Sequence, residues 1–545
     1  MDQPQPSRRN VALCFLGLCF WNLVVAFDTT ALSVTLPHIA EDFHLSSTSA
    51  YWTGTCFVLC SAAFQPIFTS FSTIFGRKPV ILLALTLFTV GAIVCSTSRG
   101  LTSLLIGRCV QGVGAGGLVT LTYVVMADMF SLHERSKYMG VISITWLVGT
   151  VCGPILGGGF AQSLSWRWIF YINFPFCGIS LLMVVFFMHI RFVPQKCTME
   201  GLKQADWIGS ILFVTSLTSF LIAISWGGVM FAWSSWRTIL PLVMGIVGLI
   251  AWVAYSHFLT ANPMIPLRIL SDRTTAISYF ATLIHGAGQW EITNASQQFA
   301  LLYYLPLYYQ AAKLYSPVIS GVALLPQCAI SGIATALTGI FIAKTSRIKP
   351  FAIAGWTIFT FGLGLLHLLN SSTSVPAWVF INLPSGVGLG ILFTALSLAT
   401  QATAEAQQTP STSTTKLPYA EGNDQVKAMA AGLNPFFRAL GQAIGIAIGQ
   451  AAFSNKMRAQ LGPDVAREST ALAQKMPFVG TDRQVLLIAA FVESLRAVWW
   501  VVFALCALVG GMKRANVGDP EKERDVETAS SNLDVDESQD VAIKT

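Results

Sequence analysis

The sequence predicts an all-α protein that threads a membrane many times. Three observations carry that expectation. Only 11% of the 545 residues are charged while 54% are hydrophobic, and the mean hydropathy is +0.62; a water-soluble chain of this length carries far more charge. Apolar runs of about 20 residues, enough to span a hydrocarbon core, recur along nearly the whole chain. Glycine and proline sit inside those runs, which a bilayer tolerates because neighbouring helices repair the freed backbone groups. The formal net charge of +7 then belongs to the loops, and nucleic acid is not an expected partner.

Polar breaks divide the apolar runs into about fourteen spans, near 11–36, 50–69, 79–98, 101–129, 138–162, 168–190, 207–227, 237–259, 274–310, 317–343, 350–369, 376–400, 429–453 and 490–512. The N-terminus is too polar before Val11, and the first run too long, for a cleaved signal peptide, so the first span is retained. With Arg8 and Arg9 inside, the even-numbered connections hold Arg77-Lys78, Arg135 and Lys137, then Arg191, Lys196 and Lys203. Further along they hold Arg268 and Arg273, Lys344, Arg347 and Lys349, and Lys513-Arg514 open the tail. The opposite connections show mainly Arg99, Arg167, Arg237 and Lys313. That asymmetry places both termini in the cytoplasm. The connection 454–489 departs from it, with Lys456 and Arg458 on the outer side.

An Asn-Ser-Ser acceptor at Asn370 falls outside and marks a glycosylation candidate. Residues 287–298 put Glu291 and Asn294 into a ninth span too long for one helix, so that span is broken, bulged, or lengthened by an error in the gene model. Residues 401–427 read as a flexible Ser/Thr/Gln-rich connection, and the tail from about 515 as acidic and disordered. Eleven cysteines are scattered, mostly within apolar runs. They form no CxxC pair and no Cys/His cluster, so they read as packing residues and no metal is expected.

An ionisable residue inside a span is a functional candidate by default, because inserting it costs a few kcal/mol. Asp28 lies about two-thirds of the way outward through the first span, on one face with Ala31 and Thr35. Arg108 lies roughly 10 Å into the fourth span at 1.5 Å per residue, with Gln111, Gly112 and Ala115 on its face. The two therefore share a depth. They are expected to form one polar network facing the central cavity, with Asp28 taking up and releasing a proton as its distance from Arg108 changes. The alternatives are a local cap for Asp28 and a structural ion pair or carbonyl clamp for Arg108.

Gly149, Gly153 and Gly157 stack on one helix face, followed by Gly158, and Pro154 invites a kink beside them. Such a face lets two helices approach closely, and helix packing alone is the competing explanation. Gly441, Gly445 and Gly449 repeat the ridge late in the chain, after Arg438. Gly76 allows a tight turn after the second span and Arg77-Lys78 anchor it inside. No Walker A, HExxH or GxSxG pattern occurs in a catalytic context, so an enzyme or ATP-driven pump is not expected.

Taken together these residues resemble the major facilitator superfamily, specifically its fourteen-span drug:proton antiporter branch of fungal type. Asp28 to Pro37 is similar to that branch's first-span signature, and Arg108 to Gly114 to its arginine-centred fourth-span motif. Gly149, Gly153, Pro154, Gly157 and Gly158 match the fifth-span antiporter motif, which is associated with exporters. Trp166 to Pro175, Leu301 to Gln310 and Phe436 to Gly449 are also typical, and the resemblance covers about 11–512. In one departure, Thr69 and Thr73 stand where the family usually has glycine and an acidic residue, so its charge-mediated gate is expected to be weaker or built elsewhere. The insertion at 287–298 is the other.

The resemblance implies the major facilitator fold, about 14 transmembrane helices in two six-helix bundles with an extra central pair. The divisions are a cytoplasmic N-terminus (1–10), an N-terminal bundle (11–190), a linker with spans 7 and 8 (191–273), a C-terminal bundle (274–512) and a tail (513–545). The expected activity is proton-coupled export, by alternating access, of small and mainly apolar molecules such as drugs, toxins or secondary metabolites. Few membrane charges exist to bind a charged cargo, while aromatics are plentiful. Thr35, Trp146, Tyr303 and Tyr304 are the cavity candidates. Uptake of a nutrient or iron-chelate, and a non-transporting sensor, are the rivals. The expected partners are cargo, protons and lipid, with no cofactor, and a monomer suffices. The expected location is the plasma membrane, with a vacuolar or vesicle membrane as the alternative.

Overall fold

A computed structural model describes residues 8–44, 47–188, 205–227, 230–260, 262–271, 273–289, 308–315, 317–406, 420–462 and 481–512, with Lys203 and Leu305 besides. Its helices in the first half are α1 (Arg8–Asp42), α2 (Ser47–Phe75), α3 (Arg77–Ser96), α4 (Leu101–Met129), α5 (Leu132–Ser163), α6 (Trp168–Tyr171) and α7 (Asn173–Phe187). Then come α8 (Trp207–Trp226) and α9 (Trp236–Phe258). The remainder are α10 (Arg273–Gln289), α11 (Pro317–Val322), α12 (Leu325–Thr345), α13 (Lys349–Leu365), α14 (Val375–Ala406), α15 (Ala420–Leu461) and α16 (Thr481–Met512). Among the described residues, 12 helical stretches are long and apolar enough to cross a membrane. α10 and α15 occupy the places expected for the ninth and thirteenth spans. α15 is less apolar because Asn434, Arg438 and Gln442 lie buried on it.

Some boundaries differ from those the hydropathy pattern suggests. The sixth span is broken at Ile172 into α6 and α7, three residues before Pro175, which cannot donate a backbone hydrogen bond. The tenth is broken before α12, where Pro326 occupies the first turn. α15 and α16 reach well into 454–489, so Lys456 sits on a helix and pairs with Glu493 at 3.2 Å. Residues 290–298 of the expected insertion, the central part of the 401–427 connection and the tail lie outside the described residues.

The successive spans of α1–α7 alternate in direction, and side chains tie their ends together. At the face where α1 begins, Arg77 Nε donates to Asp128 at 2.8 Å and Lys78 to the Val185 carbonyl at 2.7 Å. At the opposite face Arg167 donates to Asp42 and to the Ser98 carbonyl, each at 3.1 Å. We call these the basic and the opposite face.

Two sets of helices repeat one packing scheme. In the first, α4 lies against α2 and α3 while α1 lies against α5; in the second, α14 lies against α12 and α13 while α10 lies against α15. Glycine makes each approach close. A Cβ at Gly112 would strike Phe57, at Gly114 Phe88 and at Gly157 Ala31; their counterparts are Gly390 on Ser331, Gly388 on Phe359 and Gly445 on Ala287. Without a hydrophobic force between helices in lipid, such backbone proximity is the main source of packing energy. The extra pair joins through α8, which lies on α2 and α15. Trp207 meets Phe71 at 5.3 Å and Phe213 meets Phe436 at 5.7 Å. The outer side of α9 exposes Trp236, Met244, Ile250 and Phe258. In water that surface would aggregate; in a bilayer it meets acyl chains.

Candidate functional site

A wholly buried polar cluster is built on α1, α4 and α7. Asp28 is wholly buried, followed by Thr29 and Thr30, whose hydroxyls are satisfied by carbonyls three and four residues earlier. Arg108 Nη1 donates to Asp28 Oδ2 at 2.6 Å and to Gln111 Oε1 at 2.8 Å. Gln111 Nε2 and Asn173 Nδ2 both donate to Asp28 Oδ1, at 3.0 and 2.9 Å. Arg108 Nε reaches the Thr53 carbonyl at 3.0 Å, and its guanidinium lies 4.2 Å from the Phe57 ring centroid. The carboxylate thus draws donors from two other helices, and the arginine is fixed on both sides. Asp28 and Arg108 meet as their shared depth suggests. They do so inside the packed α1–α7 helices, with both side chains at 0% exposure.

The glycine ridge of α5 faces this cluster's own helix. Gly149 lies on Leu23 and Ala26, Gly153 on Thr30 and Gly157 on Ala31, so the ridge contacts flank Asp28 on both sides along α1. Gly158 is buried as well, and Pro154 stands inside an α5 that remains helical throughout. Gly441 and Gly445 lie on Leu283 and Ala287 of α10 in the same manner. Gly76 has φ 92, a conformation that favours glycine, and it turns the chain so that Arg77 meets Asp128.

The two sets of helices meet in their basic-face halves. Ser136, Gly140 and Leu147 of α5 lie on Gly339, Ala336 and Gly332 of α12. Arg135 Nη1 donates to Gln401 at 3.0 Å. Thr120 donates to the Gly432 carbonyl at 2.8 Å, and Thr69 pairs with Thr120 at 3.2 Å. Thr69, which departs from the family pattern, therefore joins a neutral hydrogen-bonded seam. The ion pair of that region, Arg77 with Asp128, lies within the first set. Moving outward along the α4 face that carries Thr120 and Tyr123, exposure rises through Val113 and Cys109 to Ile106, which is 56% exposed. This face of α4 is thus more exposed toward the opposite face than at the seam.

The cavity candidates are placed as follows. Thr35 is buried and bonds to the carbonyls of Ala31 and Leu32. Trp146 is buried and donates to Asn22 at 2.9 Å. Tyr303 and Tyr304 lie outside the described residues. Asn370 sits at the opposite face, its side-chain oxygen accepting from Ser372 and Thr373 of its own turn. Among the described residues no group of His, Cys, Asp and Glu could hold a metal ion. Sequence reasoning gave no role to Asn173, Asn22, Asp128, Tyr123 or Gln401. A polar residue inside an apolar span was the available signal for Asn22 and Tyr123.

A profile described as Major Facilitator Superfamily matches residues 18–292, and a Phoma sp. protein named MFS transporter L2 is 40% identical over 457 residues, 84% of this chain and 72% of that relative. The chain belongs to the Major Facilitator Superfamily. Efflux pump FUS6 of Gibberella fujikuroi is 34% identical over 524 residues, 93% of this chain and 89% of that one. The solved proton:xylose symporter XylE superposes with a TM-score of 0.52 at 14% identity, over 94% of this chain and 96% of that one, a likeness of fold. The superfamily and these relatives are transporters. In this superfamily member, then, the buried Asp28 cluster, the glycine ridge beside it and the seam at the basic face are parts of a transport protein spanning the membrane many times.

Proposed function

We propose that this superfamily member is a proton-coupled exporter of small, mainly apolar molecules, working by alternating access. The carrying observation is Asp28, a fully buried carboxylate that accepts from Arg108, Gln111 and Asn173 at once. Protonating it removes the negative charge that joins α1, α4 and α7, turns one of its oxygens into a donor, and leaves a buried arginine without its counter-charge, an arrangement about 3–5 kcal/mol less stable. α1 is thereby free to shift on the glycine ridge of α5. The other half of α5 forms the seam with α12, so the shift reaches the contact that closes the basic face.

The moving bodies are 11–190 and 274–512, with 191–273 between them. The basic face is cytoplasmic by the excess of Lys and Arg, which makes this conformation the outward-facing one. That orientation leaves Asn370 outside, where glycosylation occurs. The direction of transport follows the relatives named as efflux pumps, including FUS6 and LUC4 of Fusarium sp., and the plasma membrane is the natural site for expelling toxins. Cells overexpressing the chain should retain less of a panel of apolar drugs than cells lacking it, and a protonophore should abolish the difference. Higher retention on overexpression would instead mark an importer, and no difference on any compound would count against transport.

A further inference from the structure

Four arginines lie buried among the described residues: Arg77, Arg108, Arg135 and Arg438. Arg77 faces Asp128 and Arg108 faces Asp28. Arg135 is wrapped by the carbonyls of Phe130 and Ala127 and by Gln401. Arg438 is held by fewer acceptors than Arg135. It is 1% exposed, and its donors meet only neutral groups, Tyr123 OH at 3.2 Å and Asn434 Oδ1 at 2.9 Å. Its guanidinium lies 4.1 Å from the Phe393 ring centroid, and among the described residues its Nε has no partner. Among the described residues no carboxylate reaches it. A buried cation without a counter-ion is costly in a bilayer, and such residues mark pathways for cargo or ions.

Its position adds to this. Arg438 lies on α15, while Tyr123 belongs to α4 of the other set, so their hydrogen bond crosses the seam between the halves. One turn away, Asn434 Nδ2 reaches Thr400 of α14 at 3.1 Å and Thr282 of α10 at 3.5 Å. A guanidinium, an amide, two hydroxyls and a phenol thus converge from four helices, beside the flat face of Phe393. When the halves part here, Arg438 loses the phenol. Nη1 is then free, and Nη2 keeps a second N–H besides the one given to Asn434, so the guanidinium can present the paired donors that a carboxylate accepts.

We propose that Arg438 is the counter-ion for cargo, and that the exported molecules are amphiphilic acids, each a flat apolar body carrying one carboxylate. This deepens the export function proposed above and rests on it. The carboxylate would take the two guanidinium donors, Asn434 and the threonines would trim the site around it, and Phe393 would stack on the apolar body.

The test uses the full chain in lipid nanodiscs, with pyrenebutyric acid and its methyl ester as matched probes and binding read by energy transfer from tryptophan to pyrene. The wild type should prefer the acid by at least about tenfold, a difference of about 1.4 kcal/mol. Arg438→Gln should erase that preference and Arg438→Lys should keep part of it, while thermal unfolding of each variant verifies the fold. Equal affinity for acid and ester, binding of neither, or a preference that survives in Arg438→Gln would overturn the proposal. Efflux of the methyl ester and of neutral drugs from wild-type cells is measured alongside. If those are exported under the proton gradient while the acid shows no preference, the cargo assignment fails and the export function stands.

Discussion

Replacing Gly153 probes the closest approach of α5 to α1. A Cβ at Gly153 would fall 2.6 Å from Thr30 Cβ and 3.0 Å from the Ala31 backbone nitrogen. Carbon atoms rest at about 3.5–4.0 Å, so Gly153→Ala forces the helices about 1 Å apart. The backbone is among the obstructing atoms, and a rotamer change at Thr30 does not relieve it. Overpacking of this size costs about 1–3 kcal/mol. The displaced helix also carries Asp28, two residues from Thr30, whose bond to Arg108 is 2.6 Å long. If that cost falls on the step that moves α1, Gly153→Ala slows transport about tenfold, since 1.4 kcal/mol is a factor of 10. Gly153→Leu abolishes it. Efflux rates from energised cells, normalised to protein at the membrane, measure both effects. Thr30→Gly in the Gly153→Ala background should restore part of the rate. Gly153→Leu inserted normally and effluxing like the wild type would refute the coupling of the ridge to transport.

Three further outcomes follow from the seam and the Asp28 cluster. A Cβ at Gly140 would lie 3.2 Å from Ala336 Cβ, near the roughly 3.5–4.5 Å that a disulfide spans. Gly140→Cys with Ala336→Cys should therefore cross-link under a mild oxidant, stop efflux, and recover on reduction; full efflux by the cross-linked protein would show that the seam need not open. Gly432→Val drives a side chain into Thr69, whose Cγ2 lies 2.6 Å from a Cβ at that position. It should slow that same cross-linking, and Thr69→Gly should rescue it. Asn173→Leu removes a hydrogen bond to a carboxylate, worth about 1.5–3 kcal/mol, so its thermal unfolding midpoint should fall; an unchanged midpoint would mean that Asn173 does not hold Asp28.

The helices were legible because lipid demands long apolar runs, and α3, α8, α9 and α13 begin and end within a few residues of their hydropathy limits. α15 was half legible. Its glycine ridge showed, but its length did not, because Lys456 and Arg458 look like loop residues when burial of the adjacent α16 is unknown. Asp28 and Arg108 stood out as charges where charge is costly, and 1.5 Å per residue was enough to bring them to one depth. Their burial was not legible, since helical spacing gives a face without saying which helix covers it. Asn173 was hidden for a different reason. It lies at a break between two helices, and only the break turns its amide to Asp28. Thr69 looked like a missing gate residue in one dimension, yet the seam at Thr120 and Gly432 joins residues more than three hundred positions apart, as Thr120 and Gly432 are separated by 312.

The central claim is that Asp28 couples cargo movement to the proton gradient. Asp28→Asn keeps the side chain's shape and removes its ability to carry a proton. Purified wild-type and variant protein would be reconstituted in vesicles, with cargo flux measured under an imposed pH gradient and, separately, as exchange between labelled and unlabelled cargo without one. Asp28→Asn should lose gradient-driven accumulation while still exchanging cargo. Accumulation equal to that of the wild type under the same gradient would contradict the account.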